Sequence, residues 1–185
     1  MKCCKQTENQ SVYEHGLSVQ FHTKQLISIL KSKINNGYRL PNWFFQYSDQ
    51  ILEELFSDEV ISDYTLYHDI GKPYCLTLDE QGRRHFPNHA EVSAETWLKI
   101  GGATDIARLI KMDMMIHTIK AIDLDDFICN AEAITLLIVG LAEVHSNAEM
   151  FGGYDSQSFK IKWSQINRRG NAICKKLFGD KNEID

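Results

Sequence analysis

Apolar residues recur along this chain mostly at three- and four-residue spacing, the period of helices with one buried face. Val12, Leu17, Val19, Leu26, Ile27 and Leu30 carry that pattern from Ser11 to about Lys33 and predict a long first helix, with Asn35-Asn36-Gly37 as its stop. Pro41 is placed to open a second helix, whose stripe of Trp43, Phe44, Ile51, Leu52, Leu55 and Phe56 reads as core. Ser57 or Asp58 followed by Glu59 marks a third start, and the short helix Val60 to Asp69 follows from it. Between Tyr74 and Phe86 the alternation is imperfect around Gly82, which predicts a small hairpin or irregular excursion. Further helices are expected from Pro87-Asn88 to Leu98, and from Thr104 through His117. A short turn at Asp123 to Cys129, the most apolar helix at Ala131 to His145, and a last one from Ser156 to about Phe178 complete the chain. The expected fold is therefore an all-α helical bundle in one domain, residues 10–178, with residues 1–9 disordered and 179–185 frayed.

Composition changes this picture little. A chain of 185 residues with 43% hydrophobic and 24% charged residues can bury a core without covalent staples. Its longest apolar run, Ile134 to Ala142, is far short of the roughly 18 residues of a membrane span, so no membrane partner is expected. Five cysteines without a paired framework imply a reducing, cytoplasmic setting. A net charge of −5 argues against an extended nucleic-acid surface and leaves room for a small substrate.

The candidate chemistry centres on Tyr67-His-Asp-Ile-Gly-Lys-Pro73. His68 and Asp69 stand at a helix end, with Gly71 read as the residue just past the last turn and Pro73 barring continuation, so both side chains can lean toward one metal ion. Asp113 and His117, four apart, can reach one ion from a single helix face. His15 and His22, seven apart, share a face of the first helix, where His22 is either a pocket residue or a packed histidine. His89 begins its helix, where the dipole favours a neutral ligand. Glu143 lies on so apolar a helix that, without a partner, it would be a costly buried charge. Lys72 either neutralises a phosphate or complements a helix end. Lys162, Arg168 and Arg169 on the basic last helix are either a solvated face or phosphate-holding groups.

His15-Gly-Leu-Ser-Val19, Tyr67 to Pro73, Gly82 to His89, Asp113-Met-Met-Ile-His117 and Leu141-Ala-Glu-Val-His145 together resemble the HD-domain metal-dependent phosphohydrolases. Within that superfamily the chain looks most like the HD region of bacterial tRNA nucleotidyltransferases, because a polar excursion leads into Phe86-Pro-Asn-His89. The resemblance spans roughly residues 10–150, and the His-Asp-x-Gly-Lys string is its specific part. Three features depart from the family: Asp113 stands where histidine is common, Glu143 where aspartate is usual, and the His15-to-His68 interval is long enough for an extra helix that is a candidate cleft wall.

The resemblance implies one or two divalent ions per chain (Mn, Mg, Fe, Co, Ni or Zn), held by His15, His68, Asp69 and a carboxylate from Glu143 or Asp113. His89 and His117 then complete a second metal site or act as acid and phosphate donor. Asp69, Lys72, His89 and His117 are the expected catalytic groups; His22, Lys72, Lys162, Arg168 and Arg169 are the expected substrate contacts. The implied activity is hydrolysis of a phosphate ester of a nucleotide or RNA end, of the 2′,3′-cyclic phosphodiesterase or phosphatase type. The alternatives are a free-nucleotide hydrolase acting on monophosphates or deoxynucleoside triphosphates, and a non-catalytic metal- or nucleotide-binding module.

Overall fold

The long first helix, α1 (Val12–Ser32), begins where Ser11 and Glu14 cap each other reciprocally: Glu14 N donates to Ser11 Oγ (3.2 Å) and Ser11 N to Glu14 Oε2 (2.7 Å). The computed structural model describes residues 1–150 and 152–179; the expectation of fraying over 180–185 lies outside the described residues. The helix ends at Lys33, where its apolar pattern runs out and just before Asn35-Asn36-Gly37, and Lys33 takes the left-handed conformation (φ 60°). Lys33 is held there by its N–H on Ile29 O and its ammonium on Asp49 (2.7 Å).

The helix expected from Pro41 to Phe56 is two short ones, α2 (Asn42–Gln46) and α3 (Ser48–Glu54), turning at Tyr47. The turn lets α2 reach the last helix while α3 lies on α1, which buries Trp43, Phe44 and Ile51. Next come α4 (Asp58–Tyr67), capped by Ser57, and α5 (Lys72–Cys75). The hairpin of β1 (Thr77–Leu78) and β2 (Arg84–His85) pairs antiparallel, Thr77 with His85 and Leu78 with Arg84. Asp79 pins its turn, accepting from Gln81 N (3.0 Å) and Arg83 N (2.9 Å).

Helix α6 (His89–Lys99) packs on α7 (Thr104–Met112), and α7 on α4. The single helix expected through His117 breaks at Asp113 and Met114, and α8 (Met115–Thr118) follows as a separate turn. After a 3-10 turn and α9 (Leu124–Ile128) comes α10 (Ala133–Met150), whose residues 133–142 are all buried. It lies against α1 and against α11 (Gln157–Phe178). The described residues thus form an all-α fold with one small hairpin, α10 at its centre.

Residues 1–9, read from the sequence as a disordered tail, carry hydrogen bonds in this structure. Val12 N donates to Cys4 O (2.9 Å), Gln6 N to Gln10 O (2.9 Å), and Gln6 Oε1 accepts from Lys72 Nζ (3.1 Å). A polar segment with little apolar surface is held here by hydrogen bonds to α1 and α5.

Two glycines set the distances that matter. A Cβ at Gly16 would stand 2.4 Å from Leu66 O, so glycine lets α1 approach α4 and brings His15 beside His68. A Cβ at Gly71 would stand 2.4 Å from Ser93 N. Gly71 has φ −80°, so its role is close approach to α6, not the left-handed cap read from the sequence, and Pro73 starts α5.

Candidate metal centre

His68 and Asp69 lie in the turn between α4 and α5, where successive bonds from Ile70 N to Tyr67 O (2.9 Å) and Lys72 N to Asp69 O (3.0 Å) tighten the chain. A carbonyl can only accept, so the 2.9 Å contact from His68 Nδ1 to Thr65 O places a proton on Nδ1 and turns Nε2 inward. His15, fully buried on α1, meets it edge-on with ring centroids 5.2 Å apart. His15, His68 and Asp69 each offer a ligand atom, and the three atoms lie within 4.8 Å of one another. Among the described residues, His15 Nε2, His68 Nε2 and Asp69 Oδ1 are buried without a hydrogen-bond partner. Buried polar atoms are seldom left so, and two imidazole nitrogens with a carboxylate oxygen are the donor types of a divalent metal site. The cluster can hold a metal ion.

Glu143, on α10, borders this group: Oε1 is 3.5 Å from His15 Nε2, and Oε2 is 2.7 Å from His117 Nε2. Lys72 Nζ contacts Asp69 Oδ2 at 2.5 Å. His89 repeats the arrangement of His68 farther out: its Nδ1 donates to Phe86 O (3.0 Å) while Nε2 stands 3.8 Å from Asp69 Oδ1. Asp113 is buried and accepts from Tyr64 O–H at 2.5 Å, and its charge still acts on His68 and His117. The break after α7 falls between Asp113 and His117, so the two do not stand on one regular helix face.

Charges balance tightly here. Burial opposes protonation of His68, yet Asp69, Asp113 and Glu143 outweigh it and push the imidazole pKa up to about 10. Burial likewise disfavours the Asp69 carboxylate, but His68 and Lys72 hold it well below the usual range. Glu143 is also driven well down, by His117 and His15 against burial, and His117 is raised in turn by Glu143. For Asp113 burial wins, with help from Glu143, and its carboxyl is raised.

The remaining expected site residues lie in three places. Lys162 and Arg169 line a pocket beside His117 and Glu143. Arg168 does not join them; it lines a groove with Pro41 and Trp43 on another face, because adjacent helical residues diverge by about 100°. The α2 residues Asn42 and Trp43 border that groove, and none of α2 lines the pocket beside Glu143. His22 lies two turns along α1, its Nδ1 2.7 Å from Tyr38 O–H and its ring stacked on His145 (6.4 Å). It belongs to a second histidine pair, outside the cluster of His15, His68 and Asp69.

Sequence reasoning did not find Tyr64, whose signal was its position one turn before His68 on α4, or Gln6, whose contact with Lys72 has no local signature. No protein-family model, no curated protein and no solved structure matches the chain. No helix among the described residues is long and apolar enough to cross a membrane.

Proposed function

We propose that this chain is an HD-type, divalent-metal-dependent phosphohydrolase acting on a phosphate ester of a nucleotide or an RNA end. The observation that carries the reading is the convergence of His15, His68 and Asp69 in a buried group in which His15 Nε2, His68 Nε2 and Asp69 Oδ1 have no hydrogen-bond partner among the described residues. His15, His68, Asp69 and Glu143 would hold the ion, which when bound supplies an activated water and a Lewis acid for a phosphoryl oxygen.

The chain's own residues do the rest. Thr65 O fixes the His68 tautomer, so the ligand nitrogen needs no reorientation. His117 holds Glu143 from outside at 2.7 Å, and so serves that carboxylate in preference to a second ion. Lys72, on Asp69 at 2.5 Å, keeps the carboxylate ionised and puts a cation beside the incoming phosphate. His89, about one-fifth exposed and 3.8 Å from Asp69, is the imidazole best placed to pass a proton between the site and solvent.

One observation favours a rival. Lys72 already supplies a cation to Asp69, as in a module that binds a nucleotide without turnover. Metal analysis of the purified protein, followed by phosphate release from nucleoside monophosphates, deoxynucleoside triphosphates and 2′,3′-cyclic phosphates, decides between them. The expected result is metal-dependent hydrolysis that is lost in Asp69→Ala and Glu143→Gln. Bound metal with no hydrolysis of any of these esters would favour the binding module.

A further inference from the structure

Between α8, α10 and α11, directly outside Glu143 and His117, lies a pocket of about 260 Å³. Ile166 and Val144 give it an apolar wall, Asn147 an amide, and Lys162 and Arg169 two cations on one face of α11. Arg169 is fixed from behind, its Nε–H donating to Ile119 O at 3.4 Å, which leaves the terminal nitrogens for another partner. Burial, followed by the neighbouring Arg168, already lowers its pKa, and among the described residues it forms no ion pair with a carboxylate. A partly desolvated guanidinium without an anion is unfavourable, and an anionic ligand offsets that cost. Of the other cations of α11, Lys160 pairs with Asp155 at 3.8 Å, Lys176 pairs with Asp125, and Arg168 lines the groove beside Trp43.

We infer that this pocket seats a substrate carrying a single phosphoryl group on a body of about one nucleoside, with Arg169 as the phosphate clamp and Lys162 at the rim. Two cations suit one phosphate; a triphosphate would ask for more than this face offers. The volume falls just under the roughly 300 Å³ at which pockets for drug-sized ligands begin, so a mononucleotide or one terminal nucleotide fits and an oligonucleotide does not. Glu143 does not oppose the anion, because its oxygens are turned to His117 and His15 at 2.7 and 3.5 Å. The inference rests on the phosphohydrolase reading for turnover but not for binding.

Calorimetric titration of inorganic phosphate, adenosine monophosphate and adenosine triphosphate into the full chain tests it, alongside a separate assay of phosphate release. Adenosine monophosphate should bind at least about tenfold more weakly to Arg169→Ala, with part of the affinity regained in Arg169→Lys and none lost in Arg168→Ala. Adenosine triphosphate should bind no more tightly than the monophosphate. If Arg169→Ala does not fold, Lys162→Ala on the exposed rim should still weaken the monophosphate several-fold. Equal monophosphate affinity in wild type and the Arg169 and Lys162 variants overturns the inference, as does triphosphate binding that is tighter and depends on Arg168. Arg169-dependent binding without hydrolysis would support the pocket and sink the phosphohydrolase reading. Hydrolysis with a KM indifferent to Arg169 would do the reverse.

Discussion

Helices α1 and α10 carry two buried histidine groups, and the two titrate in opposite directions. At one, His15 and Glu143 meet His68 and Asp69, and the carboxylates push the His68 pKa up to about 10. At the other, His22 and His145 stack 6.4 Å apart between Tyr38 and Tyr154, and burial with the neighbouring His22 pushes His145 down to about 4. The residue type and the degree of burial are the same. Carboxylates at the first group make a buried imidazole site hospitable to a cation, whereas burial and the neighbouring imidazole set the direction at His145. Counting histidines in a sequence therefore does not locate a metal site; the acidic neighbours do.

The largest effect should come from removing the acid at the first group. Asp69→Ala takes away one of the three converging ligand atoms, and we expect metal affinity to fall by more than about 100-fold, beyond what loss of an outer partner costs. His145→Gln, at the second group, should keep wild-type metal stoichiometry by inductively coupled plasma analysis. The comparison breaks if His145→Gln loses the metal and Asp69→Ala keeps it.

Metal affinity should next rise steeply with pH. In the metal-free protein His68 carries a proton up to about pH 10, and a ligand nitrogen must lose its proton to bind. Competition with that proton gives about a tenfold gain in affinity per pH unit between roughly 7 and 9. An affinity flat over this range would show that the metal does not use His68.

How much of this was readable in advance follows from the range of the cause. The helix starts at Ser11 and Ser57 and the hairpin around Gly82 depend on residues within a few positions, and they stand in the structure close to where the pattern puts them. His68 and Asp69 are adjacent, and His15 sits on an apolar helix face, so their meeting was a local inference plus one packing step. Gly71 was misread because its need for a missing Cβ comes from Ser93, 22 residues on. The single helix read through Asp113 and His117 is broken between them, and their hydrogen-bond partners, Tyr64 and Glu143, come from other helices that local sequence does not reveal. Arg168 and Arg169 cannot be told apart until the phase of α11 against the core is known, which buried Ile166 and Gly170 fix.

Stability should also separate the two groups, with opposite signs. His145 has a folded pKa of about 4 against an ordinary 6.5, so its neutral form contributes fully above pH 6.5 and the contribution is lost as pH falls toward 4. The loss amounts to about 3 kcal/mol, and His145→Gln should flatten it in urea denaturation of chelator-treated protein. His68 runs the other way: its folded pKa is raised, so its contribution is complete below pH 6.5 and disappears as pH rises through about 10. A curve that in wild type declines only on the alkaline side would remove His145 from the account.

The smallest effect, and the finest test of the comparison, lies in two phenols. Tyr64 O–H donates to the Asp113 carboxyl at 2.5 Å, and burial together with Asp113 holds the phenol protonated by raising its pKa well above 10. Tyr154 shares a 3.1 Å hydrogen bond with Nδ1 of His145, which is neutral at pH 7. Deleting either hydroxyl leaves the ring in place and removes the bond described. At Asp113 the deletion strands a buried carboxyl next to Glu143, so Tyr64→Phe should cost about 2 kcal/mol, in the range for a buried acceptor left unsatisfied. At His145 the bond joins two neutral groups, and Tyr154→Phe should cost about 1 kcal/mol. Asp113 is not among the three clustered ligand residues, so neither variant should change metal stoichiometry. Chemical denaturation at pH 7 gives the two costs. Equal costs would mean that the acid end of the fold gains nothing from its charge, whereas metal lost from Tyr64→Phe would bring Asp113 into the ligand set.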